Sequence, residues 1–354
     1  MKKILIVNNY EQFGYHIDTF KYAEHLNNKL AFTFFSWYYG LEKRSIKNVK
    51  VEYRKYKPLF FSKLFTVFKF LFNARKDHDL FFLRYFPLVS AVLLFLPNES
   101  TILDIRTTHT SKNILRREIY NFLLKLEAKL FKRITVISEG VAKKLSLSHK
   151  AYSVLPLGAD IISNTKKEFN EMRLLYVGTF NNRRIYATVE GFAKFYHEYK
   201  NVINMSYTII GDGKAKEKDK ILRSIEQNNL TNIVKYEGFV NHDKLKKYFD
   251  SCNIGVSYVP INEIFNYQPP TKTYEYLLSG MIILATDTYE NRIIVDSTNG
   301  QLIKDSVSEF YLGLQQIYNN LGSFSSVSIR SNTSEFLWPN IIDKHLIPIL
   351  KRMK

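Results

Sequence analysis

Lys272 and Glu275 stand one helical turn apart in a stretch, residues 266–280, that is flanked by two apolar runs. A proline precedes Thr271 and a glycine ends the stretch, which predicts a short helix from Thr271 between two strands. In such a unit the loop after the first strand lies at the carboxyl edge of a parallel sheet, where α/β folds bind ligands, and the helix start attracts anions. We therefore expect a phosphate near Thr271 and Lys272, and sugar hydroxyls near the Glu275 carboxylate.

Two arginines follow another buried-type strand, residues 174–178, which ends at Gly178. The guanidinium group of Arg184, or that of Arg183 in its place, could bind a phosphate in a fork. The simpler alternative is that both are solvated loop residues. A helix is predicted after them.

The next two strand ends contribute small and apolar residues to the same edge of the sheet. Gly211 and Gly213 flank an aspartate in a turn that is tight enough to pass beneath a nucleotide base. A single Gly-x-Gly is a weak signal. Phe239 and Val240 follow the next strand.

The sequence Pro-x-Lys-x-x-Glu-Tyr, the Ser-Gly that follows it and the Met-Ile-Ile-Leu-Ala-Thr strand together resemble the donor-site segment of family 4 nucleotide-sugar glycosyltransferases. The resemblance covers nearly the whole chain and is stronger in the second half. It implies the GT-B fold, in which two doubly wound Rossmann-like α/β domains face a cleft. It also implies that Glu275 holds the nucleotide ribose and that residues 238–240 contact the base.

The chain departs from the family pattern at two places. After the strand-ending glycine, the family has an arginine and, five residues on, a lysine that reach the donor diphosphate; here these positions are Thr179 and Arg184. The family's second glutamate, eight residues before Glu275, is Tyr267 here, and the nearest acid is Glu263. We assign Tyr267 to the donor site, while Tyr267 and Glu263 stay alternatives for the donor-sugar contacts.

The resemblance also implies a division of the chain and a mechanism. We predict a first domain over residues 1–165, a nucleotide-sugar-binding domain over residues 166–335, and a C-terminal helix, residues 336–354, that crosses back to the first domain. Residues 164–173 are polar and are predicted to be the linker. Sugar transfer would proceed with retention and without metal, as Arg184 and Lys272 neutralise the diphosphate leaving group.

The first domain is expected to bind the acceptor. His109 follows a strand at the predicted cleft edge, and the family often has a histidine in the matching loop, so we include it among the catalytic candidates beside the alternative of a structural histidine. The other acceptor-side candidates lie at strand ends of the same sheet: Asn9, Gly14, Asp104 and Arg106.

Composition limits the partners and the compartment. The net charge of +18 favours nucleic acid, an anionic membrane surface or phosphorylated substrates. The single cysteine, Cys252, predicts a reducing cytoplasm and excludes a cysteine metal cluster. We expect no metal and no cofactor apart from a UDP- or GDP-linked donor substrate. No apolar run reaches the roughly 18 residues that a membrane-spanning helix needs.

The segment 58–76 predicts a basic amphipathic helix, because phenylalanines 61, 65, 68 and 72 fall on one face. This face could dock on anionic lipid at the inner surface of the membrane, or it could pack on the sheet. The first reading predicts a peripheral protein that acts on a glycan or lipid-linked acceptor.

Two other functions stay open at this point. A nucleotide-sugar epimerase of the same fold would need no acceptor. A basic nucleic-acid-binding protein is compatible with the charge, although no recognisable nucleic-acid-binding motif is present, and we predict no nucleic-acid partner.

Overall fold

The structure is a computed structural model that describes residues 2–148 and 152–352. The described chain divides into two compact units. The first unit comprises the residues up to Leu157 together with those from Trp338 onward, and the second unit is Gly158–Leu337. Each unit is built on one sheet whose described strand pairs are all parallel.

The described part of the first unit contains a seven-stranded sheet in the order β3-β2-β1-β4-β5-β6-β7. Its strands are β1 (Lys3–Val7), β2 (Ala31–Tyr38), β3 (Val49–Lys55), β4 (Leu80–Arg84), β5 (Thr101–Ile105), β6 (Ile134–Val136) and β7 (Tyr152–Val154). β1 and β4 lie at the centre and are almost wholly apolar, because a parallel sheet is covered on both faces. The strand order reverses between β1 and β4, so the loops after these two strands diverge and leave room for a ligand.

Four α-helices connect these strands: α1 (Ile17–Leu26), α2 (Phe60–Ala74), α3 (Ile114–Ala128) and α4 (Glu139–Lys144). Ser138 caps α4, because its hydroxyl accepts a hydrogen bond from the amide of Val141 at 3.2 Å. A 3-10 turn, Val89–Leu94, follows β4.

The buried face of α2 consists of Val67, Leu71 and Ala74. These residues repeat at helical spacing and are smaller than the phenylalanines, which allows the helix to lie close to its unit. The opposite face leaves Phe61 and Phe65 76% and 68% exposed. Of the two alternatives for this helix, packing of the phenylalanine face in the core is therefore wrong.

The described second unit contains a six-stranded sheet in the order β10-β9-β8-β11-β12-β13. Its strands are β8 (Met172–Val177), β9 (Met205–Ile210), β10 (Val234–Gly238), β11 (Ile254–Ser257), β12 (Ile282–Thr286) and β13 (Gly300–Ile303). The order reverses between β8 and β11, which identifies the carboxyl ends of these strands as the ligand-binding edge.

The helices of this unit are α5 (Ile185–Tyr199), α6 (Ala215–Gln227), α7 (Lys246–Ser251), α8 (Thr271–Leu278), α9 (Tyr289–Ile294), α10 (Val307–Asn319) and α11 (Ser326–Asn332). The strand–helix–strand unit predicted around residues 266–280 is confirmed as β11, α8 and β12, and α8 begins at Thr271 as expected. Pro270 precedes the helix and Gly280 follows it with a positive φ of 71°.

Residues 164–173, predicted to be a linker, are packed within the second unit. Lys167 is only 4% exposed, and its ammonium donates hydrogen bonds to the carbonyls of Phe249 and Asp250. The Arg330 guanidinium donates to the carbonyls of Ser163, Asn164 and Thr165. The polar composition that suggests a linker therefore supplies buried hydrogen bonds.

The C-terminal segment returns to the first unit as α12 (Trp338–Ile341), a π-helical turn (Ile342–Leu346) and α13 (Ile347–Lys351). Trp338 is fully buried, and its ring lies edge-on to that of Tyr22 in α1, with 6.1 Å between centroids. This observation confirms that the C-terminal segment packs on the first domain.

Candidate functional site

A cavity of about 650 Å³ opens at the carboxyl edge of the second sheet. Residues from the ends of β8, β9 and β10 and from the start of α8 line it: Val177, Gly178, Thr179, Asn181, Ile210, Gly211, Asp212, Gly213, Phe239, Val240, His242, Leu245 and Lys272. Of the predicted nucleotide-sugar residues, Gly178, Gly211, Gly213, Phe239, Val240 and Lys272 are therefore brought together at one site.

Gly211 allows two strand ends to approach each other closely. Its φ is 150°, and a Cβ atom on it would lie 1.8 Å from the carbonyl oxygen of Gly178. The Gly211 amide also donates to the Gly238 carbonyl at 2.8 Å, which links the ends of β9 and β10. Only glycine fits this position, so the shape of the cavity floor depends on it.

Lys272 and Glu275 form a close ion pair within α8, with 2.5 Å between Nζ and Oε2. On its other side, Oε1 of Glu275 lies 3.5 Å from Nε2 of His242. Glu275 is only 3% exposed, and burial alone would raise its pKa; hydrogen bonds from His242 and Lys272, with the charge of Lys272, outweigh this effect and lower the pKa. Glu275 is therefore an ionised acceptor directly behind two cavity-lining side chains.

His242 was not among the predicted site residues. It begins a 3-10 turn, His242–Lys244, soon after Phe239 and Val240. Its position in the loop after β10 is the signal that could have identified it, because residues after neighbouring parallel strands meet at one edge.

A buried polar network holds α8 and α9 against the strand ends. The Thr273 hydroxyl lies within hydrogen-bond distance of Ser257 Oγ at 2.7 Å and of Asn291 Oδ1 at 3.2 Å, so it can donate to the amide oxygen and accept from the serine hydroxyl. The Asn291 side chain donates in turn to the Thr286 carbonyl at 2.9 Å. These bonds connect the ends of β11 and β12 to both helices, so they fix the position of the first turn of α8, which includes Lys272.

Tyr276 gives α8 a second attachment to the sheet. Its buried hydroxyl accepts a hydrogen bond from the Val177 amide at 2.9 Å, and its ring covers Gly255 so closely that a Cβ there would lie 2.3 Å from the ring. The helix that carries Lys272 and Glu275 is thereby tied to the end of β8 as well as to β11 and β12.

The two predicted arginines lie apart from the lining of this cavity. Arg184 is exposed, adopts a left-handed conformation with φ of 57°, and lies 3.6 Å from the Asp305 carboxylate. Arg183 is half-buried with its guanidinium 4.0 Å from the centre of the Phe265 ring, and burial lowers its pKa. In this arrangement Asp305 and Phe265 hold the two arginines, and Lys272 is the predicted cation that lines the cavity.

The loop between β11 and α8 contains the candidates for sugar contact. The Tyr267 ring packs on that of Tyr289, with 5.3 Å between centroids, and Asn266 Oδ1 accepts a hydrogen bond from the Tyr289 amide at 2.8 Å. Glu263 is exposed in the same loop. Tyr267 and Glu263 are outside the cavity lining, while Thr271 begins the helix beside it.

In the first unit, His109 lines a separate cavity of about 380 Å³. Its ring stacks on that of Tyr120, with 4.6 Å between centroids, and its Nδ1 accepts a hydrogen bond from the Ser111 amide at 3.2 Å. Burial, together with the charge of Arg116, lowers the His109 pKa. The neutral ring therefore carries its proton on Nε2.

Asp104 and Arg106 belong to a buried charge cluster. Arg106 lies 2.5 Å from Asp18, and the Asp104 carboxylate accepts a hydrogen bond from Thr135 at 2.7 Å. Burial raises the pKa of Asp104, whereas the charge of Arg106 outweighs burial and lowers the pKa of Asp18. Arg106 also lines the cavity of the first unit, whereas Asp104 does not.

Of the other two acceptor-side candidates, Asn9 lines the cavity and Gly14 does not. The Oδ1 of Asn9 accepts a hydrogen bond from the Trp37 indole at 2.7 Å. Gly14, with φ of 89°, is buried beneath the Arg44 side chain, which donates to its carbonyl at 2.9 Å. Gly14 shapes the loop after β1 and leaves no surface for a ligand.

Within residues 2–148 and 152–352, no group of three or more histidine, cysteine, aspartate or glutamate side chains could hold a metal ion. No helix in the described ranges is both long enough and apolar enough to cross a bilayer.

Comparison with known proteins gives matches by structure alone: no protein-family model matches the sequence, and no curated protein does. Sucrose-phosphate synthase from Thermosynechococcus elongatus has a TM-score of 0.76 at 14% identity, over 99% of this chain and 98% of that chain. A glycosyltransferase from Rickettsia africae has a TM-score of 0.75 at 12% identity, over 100% of this chain and 99% of that chain. HepE from Anabaena, solved in complex with UDP, has a TM-score of 0.71 at 12% identity, over 99% of this chain and 100% of that chain. The chain is thus similar over its whole length to two-domain proteins of GT-B type, and the predicted fold class is confirmed.

Proposed function

We propose that the chain is a glycosyltransferase that moves a sugar from a UDP- or GDP-linked donor to a glycan or lipid-linked acceptor. The observation that carries this proposal is the second-unit cavity, in which three glycine-bearing strand ends meet the Lys272–Glu275 pair at the start of α8. Two structures of similar fold support the choice of donor, since HepE was solved with UDP and with UDP and glucose.

Each half of the Lys272–Glu275 pair has a role in this proposal. The Lys272 ammonium would contact the donor diphosphate and stabilise the negative charge that develops as the sugar leaves. The Glu275 carboxylate would then accept hydrogen bonds from the ribose hydroxyls in place of the lysine. Because Lys272 supplies a positive charge at the leaving group, we propose transfer without a metal ion, and we carry over retention from the family that the donor segment resembles.

We also propose that the protein attaches to the inner face of an anionic membrane. The aromatic surface, defined as Phe61, Phe65 and Phe72 of α2, is exposed, and Lys57 and Lys69 lie near it in sequence. Such a helix face combines aromatic anchors at the headgroup boundary with attraction to anionic lipid.

Neighbouring elements extend the aromatic surface. Phe95 packs on Phe68 and Phe72 of α2, with centroid separations of 6.2 and 5.7 Å, and follows the 3-10 turn in which Leu94 is 89% exposed. At the start of this 3-10 turn, the backbone amides of Leu88 and Ser90 donate hydrogen bonds to the Glu127 carboxylate of α3. α3 carries further exposed apolar side chains, among them Leu115, which is 72% exposed. Exposed apolar side chains are thus present on α2, in the 3-10 turn beside it and on α3, and groups of exposed apolar residues are characteristic of interaction surfaces.

Titration calorimetry with UDP, GDP and their sugar conjugates tests the donor site. We expect one nucleoside diphosphate to bind, and analysis of the products then distinguishes transfer or hydrolysis from epimerisation of the donor. Absence of binding to every nucleoside diphosphate would contradict the proposal. A labelled oligonucleotide at physiological salt tests the nucleic-acid alternative.

A further inference from the structure

The cavity of the first unit lies where the loops after β1, β4 and β5 meet the starts of α2 and α3. Its volume of about 380 Å³ is within the range of small-molecule sites. All of its lining residues belong to the first unit, so its chemistry is defined by that unit alone.

The lining of this cavity is strongly cationic. It contains Lys63, Arg84, Arg106 and Arg116, and no aspartate or glutamate is among the lining residues. Two of these charges have acidic partners: Arg84 lies 3.2 Å from Glu11, and Arg106 lies 2.5 Å from Asp18. Within the described ranges, Lys63 and Arg116 make no ion pair within 4 Å.

The wall of this cavity also contains hydroxyl groups. Thr107, Thr108 and Tyr10 line it. The Thr107 hydroxyl donates to the Thr108 carbonyl at 2.9 Å, so Thr108 and Tyr10 carry the hydroxyl groups that can donate to an anion. Arg106 is buried in the same wall; its Nε has no hydrogen-bond acceptor in the described part of the chain, and a carboxylate oxygen of Asp104 lies 4.0 Å from it.

The remaining walls are apolar and lead towards the aromatic surface. Phe60, Phe86, Pro87 and Leu124 line the cavity. Phe60 is partly exposed and directly precedes Phe61, the first member of the aromatic surface. The site therefore suits a ligand that has both an anionic group and an apolar part.

We propose that this cavity binds the phosphate group of the acceptor substrate, a phosphate ester with an apolar chain. Arg116, Lys63 and Arg84 contact the phosphate oxygens, and the chain lies along Phe60 towards the aromatic surface. The identification of this ligand as the acceptor rests on the proposed glycosyltransferase function, whereas anion binding by the first unit does not.

Titration calorimetry of the full chain without nucleotide tests the site, with hexyl phosphate, inorganic phosphate and hexyl glucoside as probes. We expect hexyl phosphate to bind best, because inorganic phosphate lacks the apolar chain and hexyl glucoside lacks the charge. Arg84→Gln and Arg116→Gln should each weaken hexyl phosphate binding about tenfold or more, as expected for loss of a hydrogen bond to a charged group. Arg116 is exposed, so its replacement leaves the folded unit intact.

Two control variants locate the binding. Lys129→Gln removes an exposed charge directly after α3, outside the cavity, and should leave hexyl phosphate binding unchanged. Lys272→Gln removes the cation of the second-unit cavity and should also leave hexyl phosphate affinity unchanged. Loss of binding in this variant alone would mean that hexyl phosphate binds in the second-unit cavity, which would overturn the proposal. Equal affinity for inorganic phosphate or for hexyl glucoside, or unchanged affinity in both arginine variants, would overturn it too. Failure of UDP to bind would affect only the proposed function.

Discussion

The Lys272 ammonium and the Glu275 carboxylate neutralise each other inside α8, at 2.5 Å, although the proposed function assigns them to different parts of one ligand. In the proposed complex with a nucleoside diphosphate, the lysine would contact the diphosphate, and the ribose hydroxyls would donate hydrogen bonds to the glutamate. The pair thus keeps a buried carboxylate ionised in the unliganded protein, because a charge partner offsets the cost of burial.

Replacing Glu275 by alanine should weaken nucleoside binding by about 1.5–3 kcal/mol, because a charged acceptor of ribose hydrogen bonds is lost. Calorimetry with the nucleoside measures this loss, with circular dichroism to verify the fold. Glu226→Ala, an exposed change in the same unit, should have no effect. Unchanged affinity in Glu275→Ala would contradict the ribose assignment.

Lys272→Gln should bind the nucleoside almost as the wild type does, but should bind the nucleoside diphosphate at least about tenfold more weakly, because the lost charge faces the phosphates. Arg184→Gln is expected to have a smaller effect on the diphosphate, since Arg184 lies beside Asp305 and outside the cavity lining. If each variant loses the same factor of affinity for the nucleoside as for the nucleoside diphosphate, neither cation acts on the diphosphate.

Gly211→Ala should destabilise the second unit by about 1–3 kcal/mol or more, because the added Cβ would overlap the Gly178 carbonyl. Gly238→Ala is the matched control: its φ of 67° is also positive, but nothing lies within 4 Å of the added Cβ. Urea unfolding should therefore show a clearly larger loss for Gly211→Ala. Equal losses would mean that backbone conformation, rather than close approach, explains the requirement for glycine.

Phe61→Gln with Phe65→Gln should reduce sedimentation with anionic liposomes without lowering the unfolding midpoint, because both side chains are exposed. Val327→Gln changes an apolar residue of the second unit that is 61% exposed, and it should leave sedimentation unchanged. High salt should also release the wild type. Partitioning that is the same on neutral and anionic vesicles, or absent from both, would dispose of the membrane proposal.

Lys167 predicts a specific pH dependence of stability, because burial lowers its pKa to about 8 from the unfolded value of 10.5. Between these values the unfolded chain binds more protons than the folded one, so stability contributed by this site rises with pH. Relative to Lys167→Met, the wild type should gain unfolding free energy between pH 8 and 10.5. Urea titrations of both proteins at the two ends of this range measure the difference in unfolding free energy. If this difference is the same at both pH values, burial does not disfavour the charged form of Lys167.

Local signals explain which parts of the fold could be predicted. Pro270 and Gly280 bound α8 in the sequence as they do in the structure. Glycine and proline act on their own backbone, so their effects are visible without knowledge of the tertiary structure.

The features that could not be predicted depend on contacts between residues that are far apart in the sequence. The period of α2 indicates an amphipathic helix, but both of its faces carry apolar residues, and only the packed sheet selects Val67 and Leu71 as the buried side. The partner of Arg106, Asp18, lies in a helix far away along the chain. His242 likewise reaches Glu275 only because two strand ends are neighbours in the fold.

The return of the C-terminal segment to the first unit imposes an order on biosynthesis. The pocket that receives Trp338 against Tyr22 is made by residues near the N-terminus, which leave the ribosome long before Trp338 does. The second unit is continuous in sequence and can complete its folding while the first still lacks its last helices. A nascent chain that stops before Trp338 would therefore expose an unfilled apolar pocket beside α1, and synthesis of the segment from Trp338 onward closes the core of the first unit.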